Sequence, residues 1–147
     1  MKKATKVMNN HKLAEDLLTS HGLRRTQIRL EILQLFMQQD HALSVNDLEK
    51  MVKSSHDRVT LYRALNSFEE NGILHQTPDK SGNMRYALCA EGCSGHHHKD
   101  EHAHFICDEC NQTYCLQEVK IPDVKLSDDY QLNSVSYTMN GICKDCQ

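Results

Sequence analysis

Apolar positions recur at helical spacing through the first half of the chain. Leu13, Leu17 and Leu18 line up within His11–Ser20, and the run stops at Gly22, which predicts a first helix. Thr26 can cap a second, whose stripe is Ile28, Ile32, Leu33, Leu35 and Phe36. Ser44-Val45-Asn46-Asp47 resembles a capping box with Asp in place of Glu or Gln, and opens a third helix carrying Leu48, Met51 and Val52. Asp57 can cap a fourth, DRVTLYRALNSFEEN, with Val59, Leu61, Leu65 and Phe68 toward the core and Gly72 ending it. Two short β-type runs follow, Ile73–Gln76 and Met84–Leu88, with a turn over Pro78–Asn83. Thr113–Leu116 and Tyr130–Asn140 can supply further strands.

Helix–turn–helix followed by a hairpin is the layout of a winged helix, in which the later helix enters the DNA major groove. That helix presents Arg58, Thr60, Tyr62 and Arg63, while Arg24, Arg25 and Arg29 lie where an earlier helix meets the backbone. Arg63 suits a guanine edge or a phosphate, and Tyr62 a phosphate or a thymine methyl. A solvated basic face on a helical domain is the plainer alternative. The net charge of −3 conceals an asymmetry: residues 1–86 hold thirteen Lys/Arg against ten Asp/Glu, and residues 87–147 hold four against ten. A polyanion suits the first part and cations the second.

Cysteine and histidine follow the same division. All seven cysteines lie beyond residue 88, and five of the ten histidines fall between 96 and 104. Cys107-Asp108-Glu109-Cys110 and Cys143-Lys144-Asp145-Cys146 are two CxxC pairs, and four thiolates from two tight turns make a tetrahedral cage suited to structural Zn²⁺. Thirty-two residues separate the inner cysteines, so a small substructure must join the pairs. Two redox dithiols are the alternative, without the βαβ surroundings that chemistry uses. His102-Ala103-His104 on a strand puts both imidazoles on one face; Cys89 ends the second wing strand and His75 sits on the first. The odd cysteine count, and the lack of any apolar run of signal-peptide or membrane length, point to a reducing cytoplasm and no membrane partner.

Gly22-Leu23-Arg24-Arg25-Thr26-Gln27-Ile28-Arg29-Leu30-Glu31-Ile32-Leu33 resembles the opening motif of the ferric uptake regulator superfamily, and Val59-Thr60-Leu61-Tyr62-Arg63-Ala64-Leu65 its recognition-helix motif. Gly72-Ile73-Leu74, Arg85–Leu88, His102–Cys107 and Gly141–Cys146 continue the likeness in order, across about residues 11–147. The resemblance implies a homodimeric, metal-dependent transcription factor, usually a repressor. The expected class is α+β: a winged helix-turn-helix DNA-binding domain (1–88), a His-rich hinge (89–101) and a small α/β dimerisation domain with the four-cysteine zinc site (102–147). In the zinc-uptake-regulator branch, similar positions form a regulatory site with Cys at the place of Cys89; His75, Cys89, His102 and His104 are the expected regulatory ligands. A thiolate with imidazoles favours Zn²⁺ over Fe²⁺ or Mn²⁺.

Cys93, His96, His97, His98 and Cys115 form a looser third group, in a polar loop except for Cys115, which stands where many relatives place a metal-binding Glu. Cys115 is either a ligand or a small buried side chain. Val135 occupies the region where relatives often carry a ligating His, and Glu101 and Ala103 stand where they often offer further ligands; alanine cannot bind, which argues against a full third site. Pro122 within Val119–Asp129 argues for a truncated C-terminal helix. A zinc hydrolase would need an open metal position beside a general base, and neither HxE nor HExxH occurs. The HxxEH string from His98 to His102 falls in a polar loop. A zinc buffer leaves the basic first half unexplained. The expected function is therefore zinc-responsive repression of metal-uptake genes at a double-stranded operator, without enzymatic activity or a small organic substrate. Iron-, peroxide- or nickel-responsive regulation, with Fe²⁺ the leading other metal, is the alternative.

Overall fold

The structure is a computed structural model that describes the backbone of residues 2–89, 102–133 and 135–147, with side chains from residue 9 onward. Four helices lead: α1 (Lys2–Ser20), α2 (Gln27–Gln38), α3 (Val45–Met51) and α4 (Arg58–Glu70). The first begins well before His11, because residues 2–10 contain no Gly or Pro and include Ala, Lys and Met, all good helix formers. Ser44 and Asp47 close a reciprocal capping box, the hydroxyl accepting from Asp47 N–H at 3.1 Å and the carboxylate from Ser44 N–H at 2.9 Å. Asp57 caps α4 by accepting from Thr60 N–H at 2.7 Å. Thr26 occupies the cap position of α2 in extended backbone without a side-chain bond. Gly72 ends α4 at φ 74°, where Ile73 N–H donates to Phe68 O at 2.8 Å and Gly72 N–H to Glu69 O at 3.1 Å. This is a Schellman closure, which needs the left-handed conformation that glycine takes freely.

The helices enclose one core of Ala14, Leu18, Ile32, Leu33, Phe36, Leu48, Leu61, Leu65 and Phe68, joined by Ile73, Leu74 and Tyr86 from the hairpin. Two residues expected inside lie outside: Val59 is 55% exposed and Leu13 48%. Val59 shares the solvent face of α4 with Tyr62, Arg63 and Asn66, opposite Leu61, Leu65 and Phe68, and on α1 the buried line runs through Ala14 and Leu18 instead.

Strands β1 (Leu74–Pro78) and β2 (Met84–Leu88) pair antiparallel as the wing, with His75 opposite Ala87. Leu43, between α2 and α3, exchanges hydrogen bonds with Tyr86 at 2.9 and 2.8 Å, so this segment flanks the wing. A second sheet has the order β4-β3-β5: β3 (Ala103–Cys107) is central, β4 (Thr113–Leu116) antiparallel to it and β5 (Tyr137–Gly141) parallel. Only the end of the Tyr130–Asn140 run is strand. No helix follows α4 among the described residues, and Val119–Asp129 with its Pro122 is irregular. No helix of the described residues is long and apolar enough to cross a membrane.

The two sheets are tied together. Ala42 N–H donates to Thr113 O at 2.8 Å, Arg85 Nη1 to Gln112 Oε1 at 3.3 Å, and Lys144 pairs with Asp40 at 2.5 Å. Lys80, at the wing tip, pairs with Asp108 at 3.0 Å.

Candidate functional site

The four-cysteine cluster is assembled by sheet register. Parallel pairing sets Cys107 beside Gly141, and Asp108 N–H donates to Gly141 O at 2.7 Å, so the turns beginning at Cys107 and Cys143 lie side by side. The first turn closes with Asn111 at φ 57°, its N–H donating to Cys107 O at 3.0 Å; in the second, Cys146 N–H donates to Cys143 O at 3.1 Å. Gly141 permits this approach, because a Cβ there would meet the Phe105 ring at 3.1 Å. The four sulfurs lie within 4.8 Å of one another, with Cys110 and Cys143 3.8 Å apart.

Their acidities are pulled apart. The Cys110 backbone N–H, followed by that of Cys143, lowers the Cys107 thiol to about 6, and the Tyr114 hydroxyl lowers Cys143. Cys146 is pushed up to about 12, first by its contact with Cys143. Adjacent thiolates repel, so full ionisation needs a dication, and the donor set of four sulfurs in two tight turns fits Zn²⁺.

The second cluster is His75, His102, His104 and Cys115, whose donor atoms also lie within 4.8 Å of one another. A tetrahedral zinc site with nitrogen and sulfur ligands has donor separations of roughly 3.3–3.8 Å, within a rotamer adjustment of this arrangement. Ring centroids are 5.0 Å apart for His75–His102, 5.8 Å for His75–His104 and 4.6 Å for His102–His104, and Cys115 Sγ lies 3.5 Å from His75 Nε2. The sequence dictates most of this. On β1, Leu74 turns to the helical core and Gln76 bonds Glu69 of α4 at 2.8 Å, so His75 faces the other way, toward β3. His102 and His104 share a face by alternation. Cys115 lies directly across from His104 in the antiparallel ladder, which puts its sulfur on that same face.

The expected quartet had Cys89 in the position that Cys115 takes in this group. Cys89 follows β2, is half-buried and donates its N–H to Ile73 O at 2.9 Å; it is not one of the four mutually close donors. Cys115 was already a candidate ligand by its family position, and the pairing of β3 and β4 about the Cys107–Cys110 turn is what brings it to the imidazoles. Cys93, His96, His97 and His98 lie outside the described residues.

On the helical unit, Arg24, Arg58, Tyr62 and Arg63 are exposed and Thr60 is half-buried. Arg25 pairs with Glu15 at 3.7 Å. Arg29 turns inward, donating to Arg24 O at 3.2 Å and to Ser67 Oγ at 3.4 Å. Arg58 contacts Glu49 and Asn46 of α3, and its guanidinium carbon lies 5.6 Å from the Tyr62 ring centre.

The ferric uptake regulator family model matches residues 20–142. A ferric uptake regulation protein of Staphylococcus aureus is 27% identical over 135 residues, covering 89% of this chain and 93% of that protein. Among solved structures, the ferric uptake regulator of Francisella tularensis with iron is similar at TM-score 0.58 and 29% identity, over 85% of this chain and 95% of that one. A zinc uptake regulator complexed with zinc and DNA superposes at TM-score 0.63 and 24% identity, over 95% and 94%. With two clusters of metal-ligating side chains on this fold, the chain belongs to the ferric uptake regulator family and is a metal-responsive regulator.

Proposed function

We propose that this protein is a zinc-responsive, homodimeric repressor that binds double-stranded operator DNA through α4 and controls metal-uptake genes from the cytoplasm. In this reading residues 1–88 bind DNA, 89–101 form a hinge, and 102–147 carry the structural zinc and the dimer contact. Cys107, Cys110, Cys143 and Cys146 hold the structural ion; His75, His102, His104 and Cys115 hold the regulatory one, with Cys89 a further ligand offered from the end of β2. Arg24, Arg25, Thr60, Tyr62, Arg58 and Arg63 meet the duplex.

The observation that carries the proposal is the mixed cluster. One ligand comes from the wing and three from the other sheet, so an ion there fixes the wing relative to β3 and β4. Three imidazoles and the Cys115 sulfur, with no carboxylate in the cluster among the described residues, support Zn²⁺ over Fe²⁺. In a dimer, fixing that angle sets the spacing of two recognition helices, and the metal favours whichever conformation holds it better.

Ferrous iron is the second reading, supported by the similarity to the iron-bound Francisella regulator and the Staphylococcus protein. Titrating DNA binding with Zn²⁺, Fe²⁺, Mn²⁺ and Ni²⁺ separately, at one fixed salt concentration, decides between them. Zinc is expected to induce binding at the lowest free concentration. Induction by iron at levels where zinc fails establishes the second reading, and binding indifferent to all four metals removes both.

A further inference from the structure

We propose that Glu49 is a specificity residue: its carboxylate occupies Arg58 and withholds that cation from non-specific DNA. The inference rests on the DNA-binding reading above and deepens it. Arg58 stands on the first turn of α4, where its Nη1 meets Glu49 Oε2 at 2.5 Å and Asn46 Oδ1 at 3.1 Å, both side chains of α3. Tyr62, one turn further along α4, lies beneath the guanidinium at 5.6 Å. The other exposed arginine of α4, Arg63, and Arg24 before α2 have no side-chain ion pair among the described residues.

An arginine held by a carboxylate does not displace counterions when a duplex approaches, and non-specific affinity comes almost entirely from such displacement. The Arg58 and Glu49 side chains are 49% and 32% exposed, so the pair is weakly held. A base edge offering two acceptors can draw the guanidinium away, whereas a lone phosphate offers little more than Glu49 already does. Occupation of Arg58 by Glu49 therefore penalises the wrong duplex more than the right one, which is discrimination built in against the competing ligand.

The test uses the full-length, zinc-loaded protein and its Glu49→Gln, Arg58→Gln and doubly substituted forms. Binding is measured across a salt series on a mixed-sequence duplex and on the duplex that the native protein enriches from a random pool. Glu49→Gln is expected to tighten binding to the mixed-sequence duplex about three- to tenfold at low salt and to steepen the logarithmic salt dependence by about one. Preference for the enriched duplex falls by a similar factor. In the Arg58→Gln background the same substitution is expected to have a much smaller effect, because no cation remains to be released. An unchanged salt slope, weaker binding, or an equal effect without Arg58 overturns the inference while leaving DNA binding intact. A native protein that binds neither duplex removes the DNA-binding reading as well.

Discussion

Glu31 illustrates how one side chain holds a turn. From α2 it reaches the segment between α3 and α4, accepting from Lys53 N–H at 2.5 Å, Ser54 N–H at 3.2 Å and the Ser54 hydroxyl. Burial alone would raise its carboxyl, but the Ser54 hydroxyl and the two backbone N–H groups outweigh it and hold the group below its ordinary 4.5. A carboxyl lowered by folding adds stability above its unfolded value, and that contribution is lost as pH falls through the folded one. Glu31→Gln is therefore expected to lose about 1–2 kcal/mol at neutral pH, measured by urea unfolding, with the difference from native protein closing below pH 4.5. A gap that persists at low pH would assign the loss to packing instead.

At the scale of elements, three helix ends were legible because they are written in local chemistry: Ser44 with Asp47, Asp57 with Thr60 N–H, and Gly72 after α4, whereas the start of α1 at Lys2 carries no such mark. The two CxxC pairs and the His102/His104 pair were legible for the same reason, since spacing and period place their side chains. That Cys115 joins the imidazoles depended on cross-strand register, which is not a local property, whereas the exposure of Val59 follows the period of α4, which sets it beside Tyr62, Arg63 and Asn66. The ion pairs Lys144–Asp40 and Lys80–Asp108 join residues far apart in the chain and carried no signal in the sequence. The two clusters predict different phenotypes. Cys115→Ala is expected to weaken zinc binding at the proposed regulatory site by more than about tenfold in chelator competition while leaving the fold intact, and Cys89→Ser, outside the four mutually close donors, to weaken it less. Should Cys89→Ser weaken zinc while Cys115→Ala does not, the quartet is wrongly composed. Cys143→Ser is expected to lose the retained zinc and unfold the three-stranded sheet, because a structural zinc site supplies on the order of 10 kcal/mol of folding energy.

For the whole molecule, the main helical core among the described residues draws on Ala14 to Leu88, whereas the three-stranded sheet is small, and Met139 of β5 is exposed, as are Leu132 and Val135 before it. The first body can hold itself together by apolar burial; under the proposed function the second draws on the ion held by the four cysteines. Graded chelation should therefore proceed in two stages. The first removes the ion between wing and sheet and abolishes DNA binding with helical circular dichroism unchanged. The second strips the four thiolates and melts β3–β5. Simultaneous loss of helix content and DNA affinity at the first stage would mean that the two bodies fold as one.

The hairpin of β3 and β4 carries a hidden constraint. Cys107 and Cys110 open its bend, and His104 and Cys115 face each other across its arms. Strand side chains alternate, so one residue gained or lost in the bend would turn Cys115 to the opposite surface and dismantle the neighbouring cluster without touching a ligand. The length of this bend is thus tied to both clusters at once, through strand alternation alone.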